Sequence, residues 1–137
     1  MSLHLTRDRL HTFAAKVLLI ALSGCAMEVP YQPTTLIANP AGMSGSTART
    51  TALTHFRLST GYERTIPAMT EFVRVGEIPA GVVMRPISYV LTVEGANVHE
   101  AYAVVNGSRL VGFYLPFEHA FAPLSESVPM KFSERGE

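Results

Sequence analysis

The chain has 137 residues, is formally neutral at pH 7, and contains one cysteine and no tryptophan. That length suits one domain with appendages. The charge balance supplies no electrostatic reason to bind nucleic acid or anionic headgroups, and a lone cysteine excludes an internal disulfide.

The first 24 residues differ in kind from the rest. Met1 to Lys16 is a basic stretch with Arg7, Arg9 and Lys16 against Asp8, and Val17 to Leu22 is a short apolar run. Small residues follow immediately. This is the order of a secretory signal segment, and removing it leaves a slight acidic excess. The uncharged stretch from Val17 to Met27 is too short to span a bilayer, which takes ~20 residues. An ordinary cleavage site, with Ser23 and Cys25 before Ala26, is the alternative to lipid-linked processing.

Leu22-Ser23-Gly24-Cys25 resembles the lipobox of bacterial lipoproteins, in which an apolar residue and two small ones precede an obligatory cysteine. The resemblance covers the leader alone. It implies cleavage between Gly24 and Cys25, diacylglyceryl transfer to Cys25 and acylation of the new amino terminus. Several acyl chains at ~0.8 kcal/mol per buried CH₂ anchor a protein where one chain is marginal. Ala26 replaces the Asp that in enteric lipoproteins favours inner-membrane retention. The implied address is therefore the periplasmic face of the outer membrane, with the bilayer as partner through the anchor.

From Ala26 to Thr70 the pattern loosens. Pro30, Pro33 and Pro40 interrupt it, Gly42 to Thr47 offers little to bury, and only Leu53 to Leu58 hints at a period. Residues 25–69 are expected to form a lipidated terminus and flexible tether, with a reach of roughly 35 Å for some 40 residues.

Residues 70–137 carry strand signals. Glu71 to Val75 alternates, Gly76 to Gly81 is expected to be a loop, and Val82 to Val93 contains Pro86, giving an edge strand or two strands bent there. Glu94 to Asn97 is a turn. Val98–Val105 and Leu110–Leu115 flank Asn106-Gly107-Ser108-Arg109, a hairpin signal. A two-residue loop would put Val105 opposite Ser108 and Val104 opposite Arg109; a four-residue loop, favoured because it pairs apolar with apolar, would place Val105 opposite Leu110, Val104 opposite Val111 and Tyr102 opposite Phe113. Gly112 suggests a bulge. Pro116 to Phe121 is expected to make one helical turn, and Ser127 to Phe132 a last strand. The expected fold is mainly β: a small antiparallel sheet or partly closed barrel with a short helical turn. A domain of about sixty residues buries only ~60% of its unfolded surface, so a protein partner in the cell envelope or self-association is expected to supplement the core.

Chemistry is sparse. No Asp or second Cys follows the leader, which removes a Ser-His-Asp triad, and there is no nucleophile elbow, P-loop or dinucleotide fingerprint. No cofactor is expected. His55, His99 and His119, with Glu100 and Glu118 nearby, lack the spacing that puts two ligands on one face. Phe113, Tyr114, Phe117 and Phe121 form an aromatic cluster in sequence, suited to core packing or to an interaction patch. The resulting expectation is a non-catalytic binding or structural module of the envelope, in one version accessory to a secretion assembly. The alternatives are a small periplasmic hydrolase or carbohydrate-acting enzyme using Glu100 or Glu118 with a neighbouring His, and a metal carrier using His99 and His119.

Overall fold

The computed structural model describes residues 25–41 and 45–134, and the leader with its Leu22–Gly24 segment lies outside them. Among the described residues twelve strands occur in chain order: β1 (Gln32–Pro33), β2 (Ile37–Ala38), β3 (Thr47–Thr50), β4 (Thr54–Arg57), β5 (Glu63–Ile66), β6 (Glu71–Ile78), β7 (Gly81–Pro86), β8 (Leu91–Glu94), β9 (Val98–Asn106), β10 (Arg109–Leu115), β11 (Ala120–Pro129) and β12 (Phe132–Glu134). No helix occurs among the described residues. The main sheet runs β1-β11-β10-β9-β7-β6-β3-β12, β2 also pairs with β6, β8 pairs with β9, and β4-β5 is a separate hairpin. Every pairing is antiparallel.

The expected tether is instead part of the fold. Residues 25–69 supply β1 to β5, and Val29, Phe56, Leu58 and Ile66 enter the main core. Its threonines misled the reading, because they are β-branched and suit strands as well as loops. Thr50 shows how a polar residue is accommodated: its buried hydroxyl donates to the Pro67 carbonyl at 2.8 Å and accepts the Thr70 amide at 3.0 Å. With these elements the folded part exceeds 100 residues, and it buries a larger fraction of its surface than a sixty-residue domain would.

Chain length dictates the shape of the sheet. Gln32 and Pro33 pair with Phe121 and Ala120 on β11, and only four residues later Ile37 and Ala38 pair with Glu77 and Gly76 on β6. In a flat sheet β1 and β2 would stand six strand spacings apart, about 29 Å. Four residues reach about 14 Å. The sheet therefore coils until a short strap (residues 32–38) bridges it. The same constraint applies where Met130 and Lys131 carry the chain from β11 to β12, which pairs with β3 on the far side. No continuous ladder joins the edges, and the sheet is not closed into a barrel.

Both faces of the sheet are apolar because alternate residues feed different clusters. Ala101, Ala103 and Val105 of β9 join Leu110, Phe113, Phe72 and Met84 in the main core, which the β4-β5 hairpin covers with Phe56 and Ile66. Val104 of β9 joins Ile78, Val83 and Tyr114 in a smaller cluster, against which Leu36 of the strap packs.

The local hairpin expectations are met in part. Pro79 and Ala80 alone separate β6 from β7, so the expected Gly76–Gly81 loop is a tight hairpin. Pro86 ends β7, and β8 begins after a break, the two-strand alternative. Val105 pairs with Leu110 as expected, but Asn106 and Arg109 also pair, leaving Gly107-Ser108 as the turn with Gly107 at φ 60°. A bulge at Val111 then shifts the register, so Gly112 faces Val104 and Tyr114 faces Tyr102. Pro116 to His119 form a turn joining β10 to β11, not a helical one, because Leu115 and Ala120 already pair across it.

Val29 is 4% exposed, so Val29→Ala should lower unfolding stability by about 1–3 kcal/mol in chemical denaturation, where a residue of a free tether would change nothing. A Cβ at Gly112 would stand 2.5 Å from the Ala122 carbonyl oxygen. Gly112→Ala should therefore also cost about 1–3 kcal/mol, read as a fall in Tm.

Candidate functional site

Three segments converge at one end of the sheet. His99 is the second residue of β9, Glu118 lies in the β10–β11 turn, and Tyr31 precedes the strap. His99 Nδ1 lies 2.6 Å from Glu118 Oε1. The Tyr31 ring meets the His99 ring edge-on, with centroids 5.9 Å apart. The turn itself is held by the Thr34 amide, which donates to the His119 carbonyl at 2.9 Å. His119 adopts φ 49°, the left-handed conformation that lets the chain reverse into β11.

The His99–Glu118 contact is the chemically most specific arrangement among the described residues. A carboxylate accepting from Nδ1–H fixes the tautomer that leaves Nε2 as the working nitrogen, as in the base–orienter half of a catalytic triad or behind a metal-binding imidazole. His99 Nε2 and Glu118 Oε2 are buried and have no hydrogen-bond partner. No hydroxyl completes a nucleophile–base pair at Nε2, and among the described residues no group of three His, Cys, Asp or Glu could hold a metal. What the pair does visibly is bind the turn to β9. A charge-assisted bond of this kind is stronger than a neutral one and tolerates little displacement.

The remaining candidates are dispersed. Glu100 points away from His99, as strand alternation requires, and lines a recess of about 310 Å³ with Arg85, Ile87, Tyr89 and Tyr102. His119 is not joined to His99; its Nδ1 makes a long 3.5 Å contact with the Tyr114 hydroxyl. Burial, reinforced by nearby Tyr102, pushes the Tyr114 phenol above its ordinary range, so it remains a donor. His55 is exposed on β4, 3.9 Å from Glu63, whose carboxyl is held below its usual range by the hydrogen-bonded Arg57 guanidinium.

The aromatic cluster is divided. Phe113 lies in the main core, 5.4 Å from the Phe56 ring. Tyr114 points to the opposite face and pairs there with Phe121. Phe117 stands alone at the turn tip, 77% exposed. Adjacent strand residues cannot share a face, so these four side chains do not make one patch. Cys25 is exposed at the start of the described residues.

Sequence reasoning named His99 and Glu118 separately and missed Tyr31, which it placed in the tether. The available signal was Val29-Pro30-Tyr31, an aliphatic and an aromatic residue with little reason to sit in a solvated linker.

Glu118→Ala should destabilise the fold by about 1–3 kcal/mol in urea denaturation, because it removes the 2.6 Å bond from the turn to His99 Nδ1 and leaves the mostly buried imidazole without a hydrogen-bond partner. His55→Ala, at an exposed side chain, should stay within about 0.5 kcal/mol. No protein-family model, curated protein or solved structure matches this chain.

Proposed function

We propose that the protein is a lipid-anchored component of the bacterial cell envelope, attached through Cys25 to the periplasmic face of the outer membrane, with its β-domain serving as a non-catalytic binding or structural module. The observation that carries this reading is the Leu22-Ser23-Gly24-Cys25 sequence after a basic and apolar leader. The exposure of Cys25 agrees with it, since an acylated residue has to reach the bilayer. So does the disposition of the core, which begins at Val29 and leaves Cys25 to Glu28 outside it.

A hydrolase centred on His99 and Glu118 is the second reading, favoured by their 2.6 Å contact. Against it, both free atoms of the pair are buried away from any substrate. Accessory service to a larger envelope or secretion assembly fits the anchored reading and rests on size and anchor alone.

Cys25→Ala should abolish incorporation of labelled palmitate and shift the protein from the outer-membrane fraction to the periplasm, or leave it as unprocessed precursor. Unchanged labelling and fractionation would refute the anchor.

A further inference from the structure

Five of the eleven exposed large hydrophobic side chains among the described residues share a neighbourhood. Met27 (62% exposed), Tyr31, Tyr62, Val98 (67%) and Phe117 all lie on segments that meet residues 94–99. The Ala96 amide donates to the Met27 carbonyl at 3.0 Å, and the Thr60 hydroxyl donates to the Glu94 carbonyl at 2.5 Å. Gly95 lies so close that a Cβ there would meet Met27, Val29 and Thr60 together. Tyr31 and Glu118 both contact His99. Four connections therefore gather at one end of the molecule: the N-terminal segment, the β4–β5 turn, the β8–β9 turn and the β10–β11 turn.

Cys25 enters this same end. Only Ala26 separates it from Met27, two residue steps or about 7 Å of extended chain. The charged groups here are mostly matched internally. Glu118 is bonded to His99, and Arg64 Nη2 lies 3.0 Å from Glu94 Oε2, in ion-pair range though off the hydrogen-bonding direction. The Arg64 guanidinium also sits over the Tyr62 ring, 5.4 Å from its centroid. Glu28 remains as an exposed carboxylate, suited to the hydrated headgroup level. Apolar tips and tyrosines on separate turns, around a chain attachment point and with paired charges between them, match the chemistry of a bilayer interface.

We infer that the end of the domain formed by Met27, Tyr31, Tyr62, Val98 and Phe117 is a membrane-docking surface, which seats the β-domain on the lipid headgroups with Val98 and Phe117 inserted. This rests on the anchored reading of Cys25 and goes beyond it, because it assigns the domain an orientation. The attraction is apolar, in keeping with a chain of no net positive charge. Phe117 thereby acquires a role separate from that of Phe113, Tyr114 and Phe121.

Because the chain has no tryptophan, a single introduced indole reports its own surroundings. Full-length protein carrying Val98→Trp, Phe117→Trp or Leu53→Trp would be processed in cells and purified with its anchor. Each would then be reconstituted into phosphatidylethanolamine–phosphatidylglycerol vesicles containing brominated phosphatidylcholine. Leu53 is exposed and lies at the opposite end of β4 from the turn beside Gly95, so it serves as the reference. Indoles at 98 and 117 should emit at shorter wavelength and be quenched by the brominated chains about twofold or more over the indole at 53, with less quenching by aqueous acrylamide. Equal quenching at all three positions in protein that still floats with the vesicles would overturn the docking surface and leave the anchor intact. Protein whose Cys25 carries no acyl mass and which fails to float would overturn both.

Discussion

The backbone pairing of one short strap governs this structure. Gln32 and Pro33 bond to β11, Ile37 and Ala38 bond to β6, and the three residues between Pro33 and Ile37 cannot span the sheet unless it coils. Coiling sets which strands face one another and places Leu36 on the smaller apolar cluster. It brings Tyr31 to His99 and the Thr34 amide to the turn that carries Glu118. The approach is close enough that a Cβ on Gly76 would collide with the Ile37 carbonyl. Backbone contact at that distance needs a glycine for steric room.

Two-sided burial follows from the same geometry. A half-solvated antiparallel sheet would show polar residues on one face, yet Val104 and Tyr114 are as buried as Ala103 and Phe113. The β4-β5 hairpin covers one side and the strap packs on the other. Bulges on β6 and β10 relieve the bending and reset the alternation, which is why the partner of Tyr102 is Tyr114.

In the anchored reading, this arrangement replaces a long flexible spacer with a few residues. A domain on a 35 Å tether would sample the periplasm, whereas one whose core starts four residues after the lipid is held against the membrane and presents a defined outward face. Any partner in the envelope would then meet the surface remote from the β8–β9 turn. The His99–Glu118 bond gains a mechanical sense in that setting, since it braces the turn tip bearing Phe117 against β9.

Much of the β-structure was legible locally. The strand from Glu71, the hairpin around Gly107-Ser108, the bulge beside Gly112 and the break after Pro86 each follow from steric and hydrogen-bonding preferences of a few neighbouring residues. The proposed anchor rests on a linear pattern too, Leu22-Ser23-Gly24-Cys25, which needs no fold to be read. Residues 26–69 were not legible, because β1, β2 and β3 are short strands that pair only with residues distant in sequence. Their prolines and threonines resemble a linker until those partners are in place. The same holds for the pairing of His99 with Glu118, nineteen positions apart, and for the gathering of Met27, Tyr31, Tyr62, Val98 and Phe117. Sequence alone determined the β character of residues 70–134 and supplied the linear pattern on which the proposed anchor rests. Which side chains became neighbours was decided by the coiling of the sheet, a property of long-range backbone pairing that no local pattern encodes.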